Sequence, residues 1–235
     1  NVHNTQYASI HDAIAANDYA AVDTMANRNT VNVQDREGNT PLHIAIKNGY
    51  ITIARRLLQE PHIDLNSINA NYKRPLEIAI ATNNIHLMQL LLETDTIEKD
   101  LPPERNGYSP LIYAITCGNN NAVDTLLRYG AYVNGIQRTM PSPLHVAVRE
   151  QNSSSDIVET LLSYGANPNK QNLISYQTPL HYTICRILEF RNVEQITAEM
   201  YDVILLLLRH GAEINARARY NVTPLHLATC TYKFL

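Results

Sequence analysis

Tryptophan is absent from these 235 residues, phenylalanine occurs twice and cysteine three times. Cys117, Cys185 and Cys230 are odd in number and widely spaced, which gives neither a disulfide framework nor a metal-ligand pattern. So few thiols fit a reducing intracellular compartment, cytoplasmic or nuclear. Long apolar runs are missing as well. The richest, residues 203–208, is far short of the roughly 20 residues that span a bilayer, and no signal peptide is visible. Neither sign of charge is in excess: 19 basic against 22 acidic residues leaves a net charge of −3. That balance gives no global pull towards nucleic acid or an anionic membrane. There is no G-x-S-x-G, P-loop, H-E-x-x-H or G-x-G-x-x-G pattern, so the expectation is no enzymatic activity, no cofactor and no metal.

What the chain does contain is repetition. Thr40-Pro41-Leu42-His43-Ile44-Ala45-Ile46 returns as Arg74-Pro75-Leu76-Glu77, Ser109-Pro110-Leu111-Ile112, Ser142-Pro143-Leu144-His145, Thr178-Pro179-Leu180-His181 and Thr223-Pro224-Leu225-His226. The six prolines are 34, 35, 33, 36 and 45 residues apart. A weaker copy, Ser9-Ile10-His11-Asp12-Ala13, precedes them. A period of about 33 residues around T-P-L-H-x-A resembles the ankyrin-repeat family. The resemblance implies an all-α solenoid of helix-turn-helix units with β-hairpin fingers, stabilised by stacking of neighbours. The expected layout is a single ankyrin-repeat domain, 1–235. It has a capping unit at 1–33, repeats at 34–67, 68–101, 102–135, 136–169 and 170–215, and an incomplete repeat at 216–235.

Local signals agree with that period. Thr or Ser before Pro suits an N-cap, and Pro at the first helical position loses no needed hydrogen bond. Outer helices are expected near 51–59, 86–93, 122–129, 157–164 and 200–210. Ile53, Leu57 and Leu58 have the spacing of one buried face. Gly130, Gly165 and Gly211 follow three of these helices and suit left-handed stops. In the first unit Ser9 replaces Pro and polar residues are frequent, which fits a cap with one wet face. After Thr229 no outer helix follows, so the chain reads as part of a longer protein. Asn152-Ser153-Ser154-Ser155 lengthens one inter-helix turn. Twelve extra residues fall within 186–200, and these either prolong an inner helix or form a loop.

His11, His43, His145, His181 and His226 look like a ligand or acid-base set, but all occupy the same register position. A row spaced one repeat apart does not converge within the roughly 2 Å that a zinc ligand needs. The family resemblance implies that they hydrogen-bond neighbouring hairpins. One of the cysteines as a reactive thiol would need a depressed pKa.

In the ankyrin family, partners commonly bind finger tips and the exposed side of inner helices. The corresponding basic positions here are Arg36, Lys47, Lys73, Arg105, Arg138, Arg149, Arg186 and Arg219, against Glu37 and Glu150. Tyr108 and Tyr220 stand beside them as aromatic anchors. An acidic chain with a basic predicted groove points to a protein partner with an acidic or phosphorylated segment. Exposed tips that carry Arg for solubility alone are the plainer reading. Nucleic-acid binding is disfavoured by the lack of Lys-rich runs and of an aromatic stacking series. Irregular units, abundant Asn and Tyr, and Tyr-Gly-Ala helix ends are similar to ankyrin proteins of large DNA viruses and intracellular bacteria. That similarity implies a host-directed adaptor or effector. The alternative is the targeting domain of an enzyme, or of a ubiquitin-ligase adaptor, whose further segment lies beyond residue 235.

Overall fold

A computed structural model describes residues 7–100, 108–135, 141–150, 154–189 and 198–230. Among them every regular element is helical: thirteen α-helices and one 3-10 turn, Arg219–Asn221. The chain falls into two compact units, Asn1–Pro110 and Leu111–Leu235. The first holds α1 (Ile10–Ala15), α2 (Tyr19–Met25), α3 (Pro41–Lys47), α4 (Ile51–Leu57), α5 (Pro75–Ala81) and α6 (Ile85–Leu92). α7 (Pro110–Thr116) starts at the boundary. The second unit continues with α8 (Asn120–Arg128), α9 (Pro143–Arg149), α10 (Ser155–Ser163), α11 (Pro179–Glu189), α12 (Ala198–Arg209) and α13 (Pro224–Cys230).

Helices of seven residues are too short to persist alone, so packing must hold them. In the first unit the inner helices α1, α3 and α5 pack side by side, as do the outer helices α2, α4 and α6. In the second unit α9, α11 and α13 form the inner row, and α8, α10 and α12 the outer row. The leucine after the helix-starting proline drives this packing: Leu42, Leu76, Leu144 and Leu180 are all 3% exposed or less. Leu225 occupies the same place in α13 and is 66% exposed. On α4 the buried face is Ile53, Ala54 and Leu57. Leu58 falls just past the helix end and is half-buried. Ser9 caps α1 in place of the missing proline turn, its hydroxyl accepting the Asp12 N–H at 3.2 Å.

The expected β-hairpin fingers are turns without strands among the described residues. The Asp35 N–H donates to the Asn39 carbonyl at 2.9 Å and closes the tip, leaving no length for a ladder. Adjacent fingers are joined by single backbone bonds, Ala70 N–H to the Glu37 carbonyl at 2.9 Å and Arg219 N–H to the Ser175 carbonyl at 2.8 Å. In the fingers before Pro41, Pro75, Pro179 and Pro224, the residue three positions ahead of the proline is left-handed. Gly38 has φ 74°, whereas Tyr72 and Tyr176 have φ 55° and Asn221 has φ 58°. A side chain there costs roughly 1–2 kcal/mol. A Cβ at Gly38 would also stand 2.9 Å from the Ala70 backbone nitrogen, the atom that links the two fingers. Gly38→Ala is therefore expected to lower stability by about 2 kcal/mol or more, read as a fall in the urea midpoint.

The abundance of Asn has a structural cause. Asn32, Asn66, Asn134 and Asn169 follow the outer helices α2, α4, α8 and α10. Each uses its side-chain oxygen to accept an N–H one unit further on: Asp64 at 2.8 Å, Glu98 at 2.9 Å, Asn167 at 2.8 Å and Glu213 at 2.7 Å. The amide nitrogen of Asn32 donates back to His62 O, that of Asn66 to Thr96 O and that of Asn169 to Gly211 O. These side chains act as clamps between stacked units.

Of the twelve extra residues in the fifth repeat, four are accounted for by α11, which runs eleven residues where the other inner helices from α3 to α9 run seven. The insertion thus prolongs the inner helix by one turn and also lengthens the outer helix, since α12 runs twelve residues where α2 to α10 run seven to nine. Residues 190–197 lie outside the described residues.

Candidate interaction surface

Four inner-helix histidines, His11, His43, His145 and His181, reach the next finger by specific hydrogen bonds and act as struts. His226, by contrast, is exposed and accepts the N–H of Thr223, in its own turn, at 3.2 Å. At Thr40-Pro41-Leu42-His43 the ring Nδ1 accepts the Thr40 N–H at 3.1 Å, and the Thr40 hydroxyl lies 2.8 Å away. That fixes the proton on Nε2, which donates to the Lys73 carbonyl of the next finger at 3.0 Å. His145 repeats the pattern with Ser142 and the Gln177 carbonyl at 3.0 Å, and His181 with Thr178 and the Val222 carbonyl at 3.1 Å. In these three the acceptor is two residues before the next proline. His11 reaches the equivalent Asn39 carbonyl at 3.1 Å as well as Val33 O at 3.0 Å. Burial lowers the pKa of His43 and His181, and brings that of His145 down to about 4. The rings are therefore neutral struts at ordinary pH.

The second copy of the repeated motif replaces this device with charge. Arg74 stands where Thr or Ser does elsewhere and Glu77 where His does, and both are 2% exposed or less. The Arg74 Nε donates to Glu77 Oε2 at 3.1 Å and the Arg74 N–H to the same oxygen at 3.1 Å. Glu98 completes the ion-pair set at 3.4 Å.

With the histidines assigned to the scaffold, the variable positions remain. Arg36, Lys47, Arg149 and Arg219 are exposed, and Lys73 and Arg186 are half-buried. Arg105 and Arg138 lie outside the described residues. Arg36, Lys47 and Lys73 belong to the first unit, whereas Arg149, Arg186 and Arg219 belong to the second. Arg36, Lys47, Arg149, Arg186 and Arg219 form no ion pair among the described residues. The arginines that do are Arg56, Arg74 and Arg128. Tyr108 is 39% exposed and Tyr220 is 85% exposed, with the Arg219 guanidinium 5.3 Å from the Tyr220 ring centre.

Other exposed groups escape notice in the sequence. Tyr72 and Tyr176 are 42% and 49% exposed at strained finger tips. Their sign was a bulky residue where the first finger has Gly38. In the second unit, Arg149, Gln177, Tyr182, Cys185, Arg186 and Glu189 line a recess of about 190 Å³. Tyr182 packs edge-on against the His145 ring at 4.9 Å. Glu189 joins this wall because the extra turn of α11 carries it there. The Cys185 thiol is pushed up in pKa by burial and by Glu189, which is opposite to what a reactive thiolate requires.

The model of the family described as "Ankyrin repeats (3 copies)" matches residues 10–103, 61–137, 86–172 and 144–234. The chain belongs to the ankyrin-repeat family. Rabankyrin-5 of Mus musculus is 32% identical over 190 residues, covering 80% of this ankyrin chain and 15% of that protein. The NF-kappa-B inhibitor zeta of Mus musculus is 27% identical over 237 residues, covering 96% of this chain and 30% of that protein. The chain therefore spans less than a third of the length of either relative. Among solved structures, the ankyrin repeat domain of Bcl-3, described as a member of the IkappaB protein family, superposes with a TM-score of 0.70 at 27% identity. It covers 85% of this chain and 81% of that one. The human ASB11 ankyrin repeat domain gives 0.64 at 25% identity, covering 94% and 92%. Ankyrin repeats are generally a scaffold for protein–protein interaction. No helix among the described residues is long and apolar enough to cross a membrane.

Proposed function

We propose that this ankyrin-repeat domain recruits a protein partner through an acidic or phosphorylated segment laid over its finger tips and inner helices, without catalysing a reaction. The observation that carries the reading is the charge imbalance at those positions. Six basic residues, Arg36, Lys47, Lys73, Arg149, Arg186 and Arg219, stand against Glu37 and Glu150 among the described ones. Elsewhere in the chain Arg56, Arg74 and Arg128 hold carboxylates, whereas Arg28, Arg55, Arg209 and Arg217 form no ion pair among the described residues, so the reading rests on the number of cations at the tips and inner helices. Exposed Tyr108 and Tyr220 supply aromatic anchors beside the charge. Strain retained at Tyr72 and Tyr176 supports the same use of the finger tips, because strained positions gather at ligand clamps.

The relatives carry their repeats within much longer chains. We read this array likewise as the recruiting part of an adaptor or host-directed effector. Its ubiquitin-ligase or enzymatic connection would depend on further sequence. The test is an immobilised peptide array of acidic, phosphorylated, neutral and basic segments, probed with the whole chain at two salt concentrations. Acidic or phosphorylated peptides are expected to dominate and to lose binding as salt rises. Reversal of Arg36 and Lys47, of Arg105 and Arg138, or of Arg219 to Glu should weaken that binding severalfold and flatten its salt dependence. Equal retention of neutral and acidic peptides, or indifference to all three reversals, would sink the reading.

A further inference from the structure

The recess between α9 and α11 has a feature that the open finger tips lack. Arg186 is fixed at one edge, its Nη1 donating to the Val148 carbonyl at 3.2 Å. Val148 lies at the carbonyl end of α9, so that bond also places a cation at the negative helix terminus. The Arg186 Nε is buried and finds no hydrogen-bond partner among the described residues. A buried N–H without an acceptor is rare in folded proteins and is costly to keep. The Nε and Nη2 hydrogens of a guanidinium point the same way, as a fork that matches the two oxygens of one carboxylate.

The other walls suit that group. Arg149 brings a second cation from α9. The Tyr182 oxygen accepts the Asn172 side-chain N–H at 2.9 Å, so its own O–H remains a donor. The Gln177 amide nitrogen is turned to the Cys185 sulfur at 3.9 Å. Glu189 supplies one opposing charge at the rim. Two cations and one carboxylate leave a net charge of +1, which a monoanion balances and a dianion exceeds.

We infer that this recess is a specific socket for a single glutamate or aspartate side chain of a bound protein segment, held by the Arg186 fork with Arg149 as second cation. The inference rests on the proposed recognition of an acidic segment and adds where its key carboxylate sits. Glu189 sets the selectivity, because its own charge opposes a phosphate more than a carboxylate.

The test follows the Arg186 Nε–Hε resonance of the whole 15N-labelled chain, assigned by its loss in Arg186→Lys. The probes are acetyl-Ala-Glu-Ala-amide, its Gln counterpart and inorganic phosphate. The Glu peptide is expected to shift that resonance saturably, with the Gln peptide at least tenfold weaker. Arg186 also supports the Val148 carbonyl, so the decisive variants are the exposed Arg149→Gln and Glu189→Gln. The first should weaken the Glu peptide about tenfold, the size of one charge-assisted bond. The second should tighten it. Equal shifts with Glu and Gln peptides, tighter binding of phosphate than of the Glu peptide, or an unmoved resonance would each overturn the socket. The wider reading fails separately, through the peptide array and the reversals at Arg36, Lys47 and Arg219, which lie outside the recess.

Discussion

Glu77→His alone is expected to destabilise the protein by about 3–5 kcal/mol, and Arg74→Thr added to it should recover most of that loss. The two residues are a buried ion pair in the positions that Thr and His occupy at Thr40 and His43. In wild type Glu77 accepts from both the Arg74 guanidinium and the Arg74 backbone N–H. Removing the carboxylate takes the closest ion-pair partner from a guanidinium whose side chain is 3% exposed, Glu98 standing further off at 3.4 Å. Arg74→Thr alone is equally costly, because it leaves the Glu77 carboxylate inside with its strongest donor gone. The double substitution removes both charges together. The introduced imidazole would then accept the backbone N–H three residues earlier through Nδ1, as His43 accepts that of Thr40 at 3.1 Å. Its Nε2–H would face the register position of Tyr108, two residues before Pro110, where the other struts find their carbonyl. Replacing a complete buried pair is often neutral, whereas halving it is not. Urea unfolding of the four proteins closes the cycle. Singles that add to the double, or a double as unstable as either single, would show that the pair is not one unit.

This pair also marks how far the sequence can be read. Register alone, measured from each proline, locates the inner helices, the left-handed stop glycines and the common position of the histidines. Gly130, Gly165 and Gly211 indeed have φ of 82°, 85° and 86°. The outer helices are found to within a few residues; α6, for example, begins at Ile85, where Asn84 accepts the Leu87 N–H at 3.1 Å and acts as N-cap. These features depend on local chemistry, which a single repeat contains.

What escapes is chemistry between repeats. Glu77 is visible as a departure from His, but its meaning needs Arg74 at the other end of the same turn. Asn32 and Asn66 read as polar loop residues until stacking brings Asp64 and Glu98 N–H groups to them. The candidate surface divides in the same way. Arg149 and Arg186 fall at register positions that the repeat marks as variable, whereas Tyr182 and Glu189 do not. They reach the recess through packing against His145 and through the added turn of α11. Tyr176 escapes because its register position looks like a glycine site, and only the backbone shows that a tyrosine tolerates the left-handed conformation there.

The struts themselves predict a steep loss of stability in weak acid. Each buried ring uses Nδ1 as an acceptor, so protonation destroys the bond to its own helix N-terminus and adds an uncompensated charge. For His145 burial is the main cause of a folded pKa of about 4, and the charge of Lys170 pushes the same way. His43 and His181 shift in the same direction, again through burial first. Unfolding returns each ring to an ordinary pKa of about 6.5. The unfolded chain therefore binds more protons between these values, and stability falls as the pH drops. The contribution is fully present above about pH 6.5 and declines until the folded rings titrate, at about pH 4 for His145. A shift of that size is worth roughly 3 kcal/mol for His145 alone. Asp35 is separable from this effect. Burial alone would raise its pKa, but hydrogen bonds from Asn39 and Glu37 hold it below its ordinary value, so its loss comes in stronger acid. Urea midpoints measured from about pH 7.5 down to about pH 4.5 should hold until about pH 6.5 and fall with increasing slope below it. His145→Gln should flatten that slope by up to about one proton while lowering the midpoint at the neutral end. An unchanged slope in His145→Gln would mean that the ring is already charged in the folded state and that the strut geometry is wrong.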